Sequence, residues 1–250
     1  MCIRRGYFSA QPPVFFSEVS YLAGFFSPDS KLYKFMSRLT DVVKLNLMWL
    51  LFSLPIVTIG SSTIAAFDIA LKMAEDNEGH IARGFIKAFK ANWKQGIPMT
   101  FITLFCLWAV YLDFEIFSVI RKDPNAENGW IFLAVGVVAA YVFTCSLLYV
   151  YPLLARYENT IFNSLRNSFR ITMRYFLRSL VLVVIIAIEL IVFFFWSEKM
   201  WIVGALMGPA CIFYTVSGPA MAIFRELEKE PGTVAENDGV RKQDEEESEE

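Results

Sequence analysis

The sequence predicts an all-α integral membrane protein. It reads as a bundle of six transmembrane helices, or five on an alternative count, with two basic amphipathic cytoplasmic segments and a disordered acidic C-terminal tail. Three observations predict this. Apolar residues make up 56% of the 250, above the roughly 45–50% of soluble globular domains. Phe alone contributes 24 residues, more than one compact water-soluble core readily buries. Charge is also segregated: residues 225–250 carry 4 basic and 11 acidic side chains, whereas the preceding 224 residues carry 19 and 14. So apolar a body excludes a nucleic-acid module, and four scattered cysteines exclude a secreted disulfide scaffold.

A helix needs about 20 mostly apolar residues to cross the hydrocarbon layer. Ile97–Phe117, Trp130–Ala155, Leu180–Ser197 and Met200–Phe224 meet that length. Leu45–Phe67 is uncharged as well, but Pro55 lacks an N–H and disfavours helix at Leu54, so one straight helix through it is not expected. The distribution of cations decides the count. Five spans with the N-terminus outside leave 9 of 23 basic residues outside. If Asp41–Leu54 goes out and Ile56–Ala74 returns, only Arg121, Lys122 and Lys199 are external, 3 of 23. The expected topology is therefore six spans with both termini cytoplasmic. Ser61, Ser62, Ala65 and Ala66 let the return helix pack closely, and Asp68 and Lys72, four apart, can pair. Residues 1–24 are an N-terminal extension without the continuous apolar core of a signal peptide, 25–224 the membrane domain, and 225–250 a solvated acidic tail.

Two segments between spans are too charged to cross. Phe85, Phe89 and Trp93 recur every four residues among Arg83, Lys87, Lys90 and Lys94. Phe162, Leu165, Phe169, Met173 and Phe176 follow helical spacing beside Arg166, Arg170, Arg174 and Arg178. This is the pattern of a helix in the headgroup region, apolar face in the acyl boundary and cations toward anionic lipid. Such segments serve as connectors packed on the bundle or as a surface that docks a partner. Ala88–Lys94 also lies over Ser168–Arg174 at a shift of 80 residues, an internal echo of the kind found in transporters.

Phe26 to Phe35, Leu45-Asn46-Leu47-Met48-Trp49-Leu50-Leu51, Leu54-Pro55-Ile56-Val57-Thr58-Ile59-Gly60, Phe85 through Asn92 and Tyr151 through Glu158 together resemble the YesL family. The resemblance covers about residues 25–224. It implies a bacterial multi-pass membrane protein whose genes lie near carbohydrate ABC importers, polysaccharide-degrading enzymes and sugar-responsive two-component systems. The family has no established catalytic residues, so none carries over.

No enzyme chemistry is expected. His80 stands alone in a polar connector, Cys106, Cys145 and Cys211 fall singly in different spans, and Cys2 is near the terminus. No spacing suggests a metal or a cofactor. Glu189 is the foremost candidate, since it lies near the middle of an apolar run. Ionised at the bilayer centre it costs about 2.5–3.5 kcal/mol or more, so it must be protonated, paired or turned to a polar cavity. Its apolar neighbours require that any partner come from another helix or water. Asn46 is a candidate interhelical hydrogen bonder, and Asp113 and Glu115 should reach the outer interface. Pro55 with Gly60, and the Gly208-Pro209 and Gly218-Pro219 breaks of the last span, are candidate sites of helix interruption where transporters bind or hinge. The expected function is a non-enzymatic accessory or regulatory protein partnering an ABC sugar importer or sensor kinase in the membrane. The alternative is a small secondary transporter with its own substrate pathway.

Overall fold

The computed structural model describes residues 31–75, 79–120, 129–194 and 200–229. Helices account for nearly all of these: α1 (Lys31–Ser53), α2 (Ile59–Ala74), α3 (Ile81–Ile120), α4 (Gly129–Arg156), α5 (Ile161–Arg174), α6 (Phe176–Phe194) and α7 (Met200–Glu228). The expected N-terminal extension, the expected external cations Arg121, Lys122 and Lys199, and the acidic residues from Glu230 onward lie outside the described residues. The chain divides into two units at Asp41. Within the first, Thr40 donates its hydroxyl to the Met36 carbonyl, 2.9 Å. The second unit begins at Val42 and holds the contacts described below.

Among the described residues, five stretches are long and apolar enough to cross a membrane: Ile56–Ala74, Ile81–Ile120, Trp130–Arg156, Phe176–Phe193 and Trp201–Glu228. The break expected at Leu54-Pro55 is present. α1 stops at Ser53, and one 3-10 turn, Ile56–Thr58, leads into α2 as a separate helix.

α2 is the centre of the bundle. It is buried continuously from Gly60 to Phe67 and again at Ile69, Ala70, Leu71 and Met73, because its small residues let α3, α4 and α7 approach closely. Trp49 of α1 and Phe67 of α2 both pack edge-on against Phe213 of α7, with centroids 5.6 and 5.0 Å apart. Asp68 and Lys72 pair at 3.2 Å, as their spacing predicted.

The core is displaced toward one end of the helices. In α3 the buried positions Ile81, Phe85, Ala88, Asn92, Gly96, Met99 and Thr100 follow helical spacing, and none lies beyond Thr100. In α4 burial begins only at Cys145. The remaining halves of both helices expose Phe101, Phe105, Trp108, Trp130 and Val135, side chains suited to hydrocarbon rather than water.

Two expectations need correction. The first basic segment is not a separate interfacial helix. It is the opening of α3, a 40-residue helix with Pro98 inside it, about 60 Å long and twice the hydrocarbon thickness. Two of its three aromatics are turned into the core, while Trp93 stays exposed: Phe85 is fully buried, and Phe85 and Phe89 pack on Phe52 with centroids 5.5 and 4.9 Å apart. The charged tail also begins later than Arg225. α7 continues to Glu228 because its first charged residues find partners on neighbouring helices.

Candidate functional site

The Leu-Pro-Ile-x-Thr-Ile-Gly run forms a corner whose backbone groups are satisfied locally. Thr58 donates its hydroxyl to the Phe52 and Pro55 carbonyls at 2.7 and 2.8 Å, closing the end of α1. Gly60 opens α2, where N–H groups lack intrahelical acceptors. Its N–H donates to the Thr100 hydroxyl of α3, 2.8 Å. At this crossing the two backbones meet. A Cβ on Gly60 would stand 2.2 Å from the Gly96 carbonyl oxygen, and one on Gly96 would stand 2.3 Å from the Ser61 Cα. Ser61 donates across the same seam to the Trp93 carbonyl, 3.2 Å. Pro55 and Gly60 thus build a close helix crossing.

Asn46 answers the first break of α7. Pro209 has no N–H, so the carbonyl four residues earlier, Ala205, loses its intrahelical donor. The Asn46 amide nitrogen donates to that carbonyl at 2.9 Å, and its oxygen accepts from the Ala210 N–H at 3.2 Å. One fully buried side chain, carried on α1, bonds the backbone on both sides of the proline.

Glu189 lies on α6, opposite the second break. Its partner does come from another helix: Thr215 of α7 donates its hydroxyl to Oε1 at 2.6 Å. Oε2 is buried and has no partner among the described residues. Thr215 is also the residue whose carbonyl Pro219 releases. Asp113 sits against α4 at Gly136, where a Cβ would collide with its carboxylate. Glu115 is exposed and accepts from the Tyr111 hydroxyl, 3.1 Å.

A second polar cluster joins the ends of α2, α4 and α7. Arg156, 2% exposed, contacts Glu228 at 3.3 Å, Glu75 at 3.8 Å and the Met221 sulfur at 2.9 Å. Arg225 also reaches Glu75, 2.8 Å, and Tyr157 donates its hydroxyl to Glu228 at 2.6 Å. Burial, followed by that bond to a carboxylate, pushes the Tyr157 phenol above its ordinary value. Arg178 on α6 pairs with Glu226 at 2.7 Å. Sequence reasoning missed this cluster. Its only signal was the position of Glu75, Arg156 and Arg225 at the ends of apolar runs.

The eight basic-segment candidates separate by setting. Lys87, Lys90, Trp93 and Lys94 are exposed along α3. Arg166, Arg170 and Arg174 are exposed on α5, a distinct helix capped at its start by the Thr160 hydroxyl, and Arg178 is on α6. The echoed heptads therefore occupy unlike settings, one inside a long helix and the other closing α5 at Arg174. His80 is exposed in the connector before α3, and Cys106, Cys145 and Cys211 are free thiols on α3, α4 and α7.

The fold is a helical bundle whose several long apolar helices put it in the multi-pass membrane class. Within it, residues 42–114 match a family described as "Protein of unknown function, DUF624". That match spans α1 from Val42, the Pro55 corner, α2 and most of α3. No curated protein and no solved structure matches the chain.

Proposed function

We propose that this chain is a YesL-type protein of the bacterial cell membrane, with six crossings and both termini cytoplasmic. It acts as a non-enzymatic accessory or regulatory partner of a carbohydrate ABC importer or sensor kinase. The observation that supports a scaffold over a transport path is the pair of hydrogen bonds that Asn46 makes across Pro209. Transporters leave backbone groups at such breaks open to substrate or ion, whereas here a side chain bonds them. The link to carbohydrate systems rests on the YesL resemblance. Affinity purification in mild detergent tests the reading. Importer or kinase subunits that co-purify, and whose activity changes when this chain is deleted, support it. Sugar uptake by the reconstituted chain alone overturns it.

One observation favours the secondary transporter: the buried Oε2 of Glu189, without a partner among the described residues. If the acid carries protons or ligand, Glu189→Gln abolishes growth on the transported sugar at normal membrane abundance. If it only ties α6 to α7, Glu189→Gln is nearly silent and Glu189→Leu lowers folding yield.

A further inference from the structure

α5 turns a stripe of large apolar side chains away from the bundle. Its buried residues are Ser164, Asn167, Ser168, Ile171 and Thr172. Four of the five are small or polar, and Ser168 donates its hydroxyl to the Ser146 carbonyl of α4. Ile161, Leu165 and Ile171 pack on the core, but three large apolar side chains face away from the bundle: Phe162 is 75% exposed, Phe169 47% and Met173 45%. At about 100° per residue these three fall within about 40° of one another. Arg166 and Arg170 run along one flank of the stripe, exposed.

Burial of apolar surface would pack the phenylalanines inward if water lay outside, so the outward stripe calls for an apolar cover. Two features specify which. Tyr175 alone separates α5 from α6, whose span begins at Phe176, so α5 is tethered at the membrane boundary. The flank of the stripe is cationic, which complements anionic headgroups. We infer that α5 is an anionic-phospholipid binding surface, with Phe162, Phe169 and Met173 in the acyl boundary and Arg166 and Arg170 on headgroup phosphates. α3 offers no equivalent stripe, since Phe85 and Phe89 pack on Phe52 and only Trp93 of its three aromatics there is exposed.

The test places the photoreactive residue benzoylphenylalanine at Phe169 in the full chain. The protein is reconstituted in mixed phosphatidylcholine and phosphatidylglycerol vesicles, and separately kept in native membranes; adducts are identified by mass. The same group at Phe105, in the exposed half of α3, calibrates capture without headgroup preference. The expected result is lipid adducts at position 169 enriched in phosphatidylglycerol over that reference. Each of Arg166→Gln and Arg170→Gln should lower the enrichment by up to about fivefold, the equivalent of one surface cation. Both arginines are exposed, and an unchanged elution profile confirms that the variants fold. A protein adduct in place of lipid in native membranes overturns the inference, as does the absence of adducts. So do lipid adducts without headgroup preference, or a preference that survives both substitutions.

Discussion

Buried polar side chains in this bundle act mainly on the backbone. Asn46 makes two bonds to groups around Pro209, which gives its replacement an unusual signature. Membrane interhelical bonds average about 0.6 kcal/mol when deleted, but a buried group left without any partner costs about 1–3 kcal/mol. Asn46→Ala leaves the Ala205 carbonyl with neither a side-chain nor an intrahelical donor, so its cost belongs to the higher range. Pro209→Ala restores that donor, and the double variant should recover part of the loss. Thermal unfolding of the four proteins in detergent measures the coupling; strictly additive losses would refute the pairing. Tyr157 offers a pH readout. Its folded phenol titrates above its unfolded one. The contribution of its bond to Glu228 is therefore complete below the ordinary tyrosine range, about pH 10, and is lost as pH rises through the folded value. Wild type should lose more unfolding temperature than Tyr157→Phe as buffers become strongly alkaline. Parallel profiles would exclude a role for the phenol in stability.

Between elements, the crossing of α2 over α3 is the tightest constraint. Gly60 and Gly96 meet backbone to backbone, so a methyl group on either must separate the helices. Forced overpacking typically costs about 1–3 kcal/mol, and separation also breaks the Gly60–Thr100 and Ser61–Trp93 bonds. Gly218 is the matched control, because a Cβ there meets nothing within 4 Å. Gly96→Ala should lower the unfolding temperature markedly and Gly218→Ala should leave it level or raised. Equal effects would show that the crossing tolerates side-chain volume. The two basic segments teach a related point. Their sequence patterns are alike, yet at matched positions Phe89 packs on Phe52 and Phe169 is exposed. Spacing places residues on one face of a helix, but the neighbouring helix decides whether that face points into the core.

At the scale of the whole molecule, the core lies toward the ends joined by Glu75, Arg156 and Glu228, and α3 and α4 run beyond it with exposed apolar surfaces. Under six crossings, that ion-pair cluster is cytoplasmic. Single cysteines at Asn125 and Asn237 should then label from opposite sides of the membrane, and one at Asp29 should label from the side of Asn237. Accessibility to an impermeant maleimide in intact cells and in inverted vesicles provides the measurement. External labelling at Asp29 with Asn237 internal restores five crossings.

Apolar runs, Pro55 and the small residues of α2 determined the helical membrane class, the break after α1 and the close packing of α2 from sequence alone. These follow from local chemistry: hydrocarbon requires satisfied backbone and apolar length, and proline removes a donor wherever it stands. Asn46, Gly60 and Glu189 stood out because each is unusual in an apolar run. What each one touches was a tertiary matter, since Ala205, Gly96 and Thr215 are distant in sequence. Tertiary structure also turned Phe85 inward and Phe169 outward, and drew Arg225, Glu226 and Glu228 from an expected tail into the last helix. Burial and pairing depend on which surfaces meet, and that is decided only when the helices pack.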